Sequence, residues 1–93
     1  MSSPTYKNTV TVGTIRVDVV IVKEQDGYWF AQCLQLHNVS RVGSDAWRAL
    51  ESITKALQHE LAELQKQGVS LDQLPGAPQE YLESHRQAEN LPV

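Results

Sequence analysis

A chain of 93 residues has room for one domain and one modest core, and its 41% hydrophobic content is that of an ordinary globular protein, which excludes two independent domains. A formal net charge of -3 opposes a surface built to hold a phosphate backbone, so direct nucleic-acid binding is not expected. The single cysteine, Cys33, cannot close an internal disulfide; Met1 to Tyr6 shows no basic region followed by an apolar run, and no stretch approaches the ~20 apolar residues that span a bilayer. These features read as a soluble, cytoplasmic protein that makes no membrane contact.

The first few residues are expected to fray. From Thr9 the chain becomes rich in Val, Thr and Ile, and Gly13-Thr14 supplies the Gly-X pair of a tight hairpin turn, so Thr9 to Val12 reads as a short extra strand. Ile15 to Lys23 is the clearest strand. It sets Ile15, Val17, Val19 and Ile21 on one face and Arg16, Asp18, Val20 and Val22 on the other. Gln25-Asp26-Gly27 reads as a turn leading to a strand from Tyr28 to Leu36. With a three-residue loop and Gly27 left-handed, Glu24 pairs with Tyr28, and Trp29, Ala31 and Cys33 join the first apolar face. A two-residue loop would exchange the faces. Leu36-His37-Asn38 forms the next turn, Val39 to Val42 a short strand, and Gly43 the joint into a helix.

That helix, Ser44 to Gly68, is the element the strands serve. Ala46, Leu50, Ile53, Leu57, Leu61 and Leu64 fall on one stripe, opposite Arg48, Glu51, Lys55, Gln58, Glu63 and Lys66. Ser44 is placed to accept from the free amides of the first turn, Asp45 complements the helix dipole, and Gly68 suits a left-handed terminus. Small Ala31 and Cys33 beneath Ala46, Ala49 and Ala56 allow a close approach. Val69 to Pro78 is a connector with room for a fourth short strand. Gln79 to Glu89 suits a second, weakly amphipathic helix through Tyr81 and Leu82, and the tail beyond Ala88 is expected to be mobile. The fold class is therefore α+β: one domain over residues 1–93, with an ordered core at about 9–68 built as an antiparallel meander of three to four strands on one long helix.

The sequence carries no glycine-rich phosphate loop, nucleophile elbow or paired-cysteine motif. His59 and Glu63 lie one helical turn apart, and Cys33 and His37 flank a strand end, but neither pair completes the three or four ligands that metal coordination needs. No cofactor or metal is expected. Cys33 reads as a small buried apolar residue. Asp18, a carboxylate in mid-strand, raises the question of a sheet-borne nuclease. Its neighbours in such a site would have to be Asp45 and Glu51, and Glu51 lies on the wet helix face. A surface pairing of Asp18 with Arg16 or Gln32 is the plainer expectation.

With the order strand, strand, strand, helix in hand, the stretch from Val22 to Leu36, followed by Val39 to Gly43 and Ala49-Leu50 to Leu61, resembles the HicB family of antitoxins and their stand-alone relatives. Asp26-Gly27-Tyr28, Ala31, Gly43 and Ala49-Leu50 carry the match, which spans roughly Val17 to Gly68. The resemblance implies a partial ribonuclease-H-like fold without that enzyme's set of acids, and a role in silencing a small HicA-like toxin that degrades messenger RNA. His37-Asn38 stands where the family turns with Pro-Gly. The residues after Gly68 carry neither a helix-turn-helix nor a ribbon-helix-helix pattern of the kind many members use on DNA.

On the three-residue register, the sheet face left bare by the helix collects Val20, Val22, Tyr28, Phe30 and Leu34, rimmed by Arg16, Asp18 and Gln32. A monomer rarely exposes an apolar patch of that extent. Val20, Val22, Tyr28, Phe30, Gln32 and Leu34 are therefore the candidate interface, occupied by a HicA-like toxin or by another copy in a homo-oligomer. A homo-oligomeric adaptor without a toxin is the second reading and a metal-dependent nuclease the third. In the competing arrangement the second helix folds over the patch, with only Tyr81 and Leu82 to cover it.

Overall fold

The computed structural model describes residues 5–91. Five strands form one sheet in the order β4-β3-β2-β1-β5: β1 Thr5–Val12, β2 Ile15–Lys23, β3 Trp29–Cys33, β4 Ser40–Gly43 and β5 Glu89–Asn90. The helix α1, Ala46–Gln67, packs on one face, and α2, Gln79–Gln87, contacts the other at β1 and β2. The architecture is α+β, as expected, but the sheet has five strands rather than three to four, and it is mixed because the added β5 runs parallel to β1.

The meander follows the turn chemistry. Gly13 has φ 62, and Val12 pairs directly with Ile15 across a two-residue turn. At the next corner Gly27 has φ 90, its N–H donates to Glu24 O at 3.0 Å, and the Glu24 N–H donates to Tyr28 O at 2.8 Å. This is the three-residue loop, and it places Val17, Val19, Ile21, Ala31 and Cys33 on one face, all fully buried. The third corner, at Leu36-His37-Asn38, turns without a left-handed residue. Val39 N–H bonds Leu36 O at 3.1 Å, and no residue other than glycine has positive φ among those described. A turn of that kind needs no glycine, so His37-Asn38 fits.

Burial selects the face of α1: Ala46, Ala49, Ile53, Leu57 and Leu61 are buried, while Leu50 and Leu64 lie at its margins. The cap is Asp45 rather than Ser44. The chain is extended at Asp45, whose Oδ1 accepts from Arg48 N–H at 2.8 Å, three residues into the turn. At the far end Gly68 is left-handed, its N–H bonding Gln65 O while Val69 N–H reaches back to Leu64 O. Gly43 is the closest joint in the fold. A Cβ there would sit 2.4 Å from Ala49 N, so only glycine lets the helix backbone rest on β4.

Four expectations at the margins are corrected. β1 begins at Thr5, four residues earlier than read, because Tyr6 and Lys7 pair with Ile21 and Val20 although Asn8 breaks the apolar alternation; of the residues expected to fray, 1–4 lie outside those described. The strand from Tyr28 ends at Cys33 rather than Leu36. The connector holds a single 3-10 turn at Leu71–Gln73 instead of a fourth strand. The tail beyond Ala88 is fixed as far as it is described: Leu91 donates its N–H to Lys7 O at 3.0 Å and is 4% exposed.

Leu57 is fully buried, and Lys55, two residues earlier on the opposite side of α1, is exposed. Leu57→Ala is expected to cost about 2 to 5 kcal/mol in urea unfolding, and Lys55→Ala no more than about 0.5 kcal/mol. Equal losses would mean that the helix packs by another face.

Candidate partner-binding face

The reverse face of the sheet is the candidate site, and most of it is covered from within. Val20 is 1% exposed, Gln32 3% and Leu34 9%. Two segments do the covering. The rings of Phe30 and Tyr81 of α2 meet with centroids 5.8 Å apart. The connector ties itself to the turn after β3, with His37 N–H donating to Pro75 O at 3.1 Å and Ala77 N–H to Leu34 O at 2.9 Å. The arrangement with the second helix on this face is thus the one adopted, and the expected bare patch is reduced. Val22 and Phe30 remain half-buried and Tyr28 is 52% exposed. Val42, not among the expected positions, joins them: it pairs with Phe30, which pairs with Val22, and it is 59% exposed. Its place in this row depends on the register across the turn between β3 and β4, which the spacing of apolar residues leaves open.

Gln32, expected at an interface rim, is instead an internal brace. Its Nε2 donates toward four carbonyls, Cys33 and His37 at 2.9 and 3.0 Å and Leu36 and Val39 at 3.3 Å. Leu36 O and Val39 O also accept backbone N–H groups, from Val39 and Cys33 at 3.1 Å each, so the buried amide ties together the carbonyls on the inner side of the turn after β3. Asp18 also has a local role. Gln35 accepts from Asp18 N–H through Oε1 at 2.8 Å and returns Nε2 to Asp18 Oδ2 at 3.2 Å, so a side-chain amide continues the β2 to β3 pairing past the strand end. Thr9 Oγ1 donates to the same carboxylate at 3.3 Å. The expected partners, Arg16 and Gln32, are not the ones it bonds.

The three carboxylates of the nuclease reading are not brought together. Asp18 lines a small polar pocket of about 200 Å³ with Lys7, Asn8, Thr9, Arg16, His85 and Asn90. Asp45 and Glu51 line a separate open groove on the outer side of α1, beside the half-exposed Trp47, where Asp45 caps the helix and Glu51 pairs with Lys55 at 3.8 Å. Of the two pairs weighed as metal ligands, Glu63 faces Lys66 at 3.7 Å, and Cys33 is buried while His37 is exposed. Among the described residues no three His, Cys, Asp or Glu side chains gather as a metal site. Burial pushes the Cys33 thiol up, as suits a core residue. Burial at the rim of the small pocket lowers the His85 imidazole, opposed by Asp18 and reinforced by Lys7.

No family model matches this chain, and neither a curated protein nor a solved structure is found that resembles it. No helix among the described residues is long and apolar enough to cross a membrane.

Gln32→Ala should cost about 1 to 3 kcal/mol, the range for buried acceptors left unsatisfied; a neutral result in chemical denaturation would show that Gln32 does not brace the turn. The His85 position predicts a pH effect. Its folded pKa lies below the unfolded value near 6.5, so the unfolded chain takes up the proton first. Stability is present in full above that value and declines as pH falls from it toward the folded pKa. His85→Gln should flatten the dependence of the melting temperature on pH in this window, and an unchanged slope would exclude His85 as its source.

Proposed function

We propose that this chain works by binding protein, as a HicB-like antitoxin or antitoxin relative that neutralises a small, basic, HicA-like toxin degrading messenger RNA. One observation carries the reading: the residues of the resemblance are those at which the meander and helix fit together. Asp26 Oδ1 accepts from Tyr28 N–H at 3.0 Å across Gly27, Ala31 is fully buried under α1, and Gly43 leaves room for the backbone of Ala49. A partial ribonuclease-H-like arrangement, a meander against one long helix, belongs to the same proposal, as does a soluble cytoplasmic setting. A net charge of -3 suits a basic partner. Specific DNA binding by the chain alone is not part of the proposal, since that charge opposes it and the segment after Gly68 returns to the sheet as α2 and β5.

The surface offered to such a partner is what α2 leaves open, Tyr28 with Phe30, Val22 and Val42. Co-expression with a small basic protein encoded beside it should give a stable complex in which the toxin's cleavage of messenger RNA is suppressed. Tyr28→Asp should weaken that complex about 30-fold, the effect of losing one aromatic anchor of about 2 kcal/mol. Failure to bind or to suppress any such neighbour would refute the antitoxin reading.

A further inference from the structure

The two edges of the sheet differ, and the difference points to self-association. At the far edge β5 covers only Tyr6 and Lys7 with the exposed, polar Glu89 and Asn90, and Asn8 to Val12 of β1 have no strand outside them, but the side chains exposed along that stretch are threonines, Thr9 and Thr11. The β4 edge carries Val42, one of three large hydrophobic residues exposed among those described. Its backbone is also open. Cys33 donates to Val39 O at 3.1 Å, and ladder bonds alternate along an antiparallel strand, so Arg41 and Gly43 face β3 while the N–H and C=O of Ser40 and Val42 point away from the sheet. Arg41 Nη1 covers the Ser40 carbonyl at 2.6 Å. Among the described residues nothing comparable caps Val42.

We propose that a second copy of this chain pairs antiparallel along β4, with the two-fold axis at Val42. In a two-fold antiparallel pair, opposed residues share a face, so the axis must pass through one residue. An axis at Arg41 would set the two guanidinium groups opposite each other, which is unfavourable. An axis at Val42 sets Val42 against Val42, uses the outward N–H and C=O of both, and leaves the arginines diagonal. It also joins the two apolar rows Val22, Phe30 and Val42 into one that crosses the junction.

Charge supports the same occupant. Arg41 lies on the α1 side of the sheet, opposite Ala31, and shares a groove of about 400 Å³ with Ser52, Lys55, Ala56, His59 and Glu60. Glu60 makes no ion pair among the described residues, and Arg41 bonds only the Ser40 carbonyl. In the Val42-centred pair each Arg41 projects toward the partner's groove, where Glu60 awaits a cation. The small side chains of Ser52 and Ala56 leave room along that flank. This dimer needs no toxin, so its failure and the failure of the antitoxin reading are separate results.

Sedimentation velocity over a micromolar concentration series tests the proposal, with helical circular dichroism confirming that each variant is folded. The wild type should self-associate, and Val42→Lys, a substitution at an exposed site, should weaken association at least tenfold. Glu60→Arg should weaken it as well, and the exchange Arg41→Glu with Glu60→Arg should restore it. Under mild oxidation Val42→Cys should cross-link to itself, and Arg41→Cys should do so poorly, because diagonal positions lie ~7 to 8 Å apart, beyond ordinary disulfide reach. Cys33 is buried and does not compete. A wild type that stays monomeric overturns the proposal, as does a dimer indifferent to Val42→Lys. Preferential cross-linking through Arg41→Cys overturns the register.

Discussion

The contact on which the rest of the structure depends is the approach of α1 to the backbone of β4 at Gly43. The nearest helix atoms, Ala49 N and Cα, would lie 2.4 and 2.8 Å from any Cβ placed there. Helix and strand can be this close only where neither carries bulk, and Gly43 with Ala49 meets that condition. Once the first turns of α1 are set down here, Ile53, Leu57 and Leu61 are carried across the sheet onto Val17, Val19, Ile21, Ala31 and Cys33, and the core closes. A displacement at the joint would be transmitted along all 22 residues of the helix, because close-packed side chains have no slack to absorb it.

What the sequence made legible was whatever obeys a local rule. β2 was readable end to end from its period-two alternation, the loop at Gln25-Asp26-Gly27 and its register from one glycine, and the end of α1 from Gly68. The less legible parts depend on long-range partners. Lys7 and Asn8 lack the alternation of a half-buried strand and are held because β2 already offers an edge. Glu89 and Asn90 have almost no strand propensity, and burial of Ala88 and Leu91 fixes them. The cap at Asp45 was displaced from Ser44 by one residue, since two capping residues in succession are equally eligible and only the path of the chain out of β4 separates them.

The candidate site was legible in composition but not in exposure. Alternation correctly assigned Val20, Val22, Tyr28, Phe30 and Leu34 to one face. It could not show that α2, a helix with no buried residue of its own, would cover Val20 and Leu34 with help from the connector. Covering a face needs area rather than burial of the cover, and a helix lying flat supplies area even when its own side chains stay half in water. Gln32 and Asp18 illustrate the other limit. Polar residues in mid-strand invite a functional reading, yet here the buried Gln32 amide bonds carbonyls of the turn after β3 and Asp18 is held by Gln35, so both finish the sheet from within.

The covering of the reverse face has a consequence for binding. Because α2 and the connector take up the centre of that face, what remains lies toward β4: Tyr28 at the loop, Val42 at the edge, and the half-covered Phe30 and Val22 between them. A partner seated here meets an apolar strip that ends in open backbone groups, so hydrophobic contact and strand pairing are available to it side by side. Strand pairing sets direction and register, while the apolar strip supplies most of the driving force. A surface of this kind selects a partner with an extended edge of its own. That requirement is met by another copy of this chain, and it would have to be met by any toxin that binds here in its place.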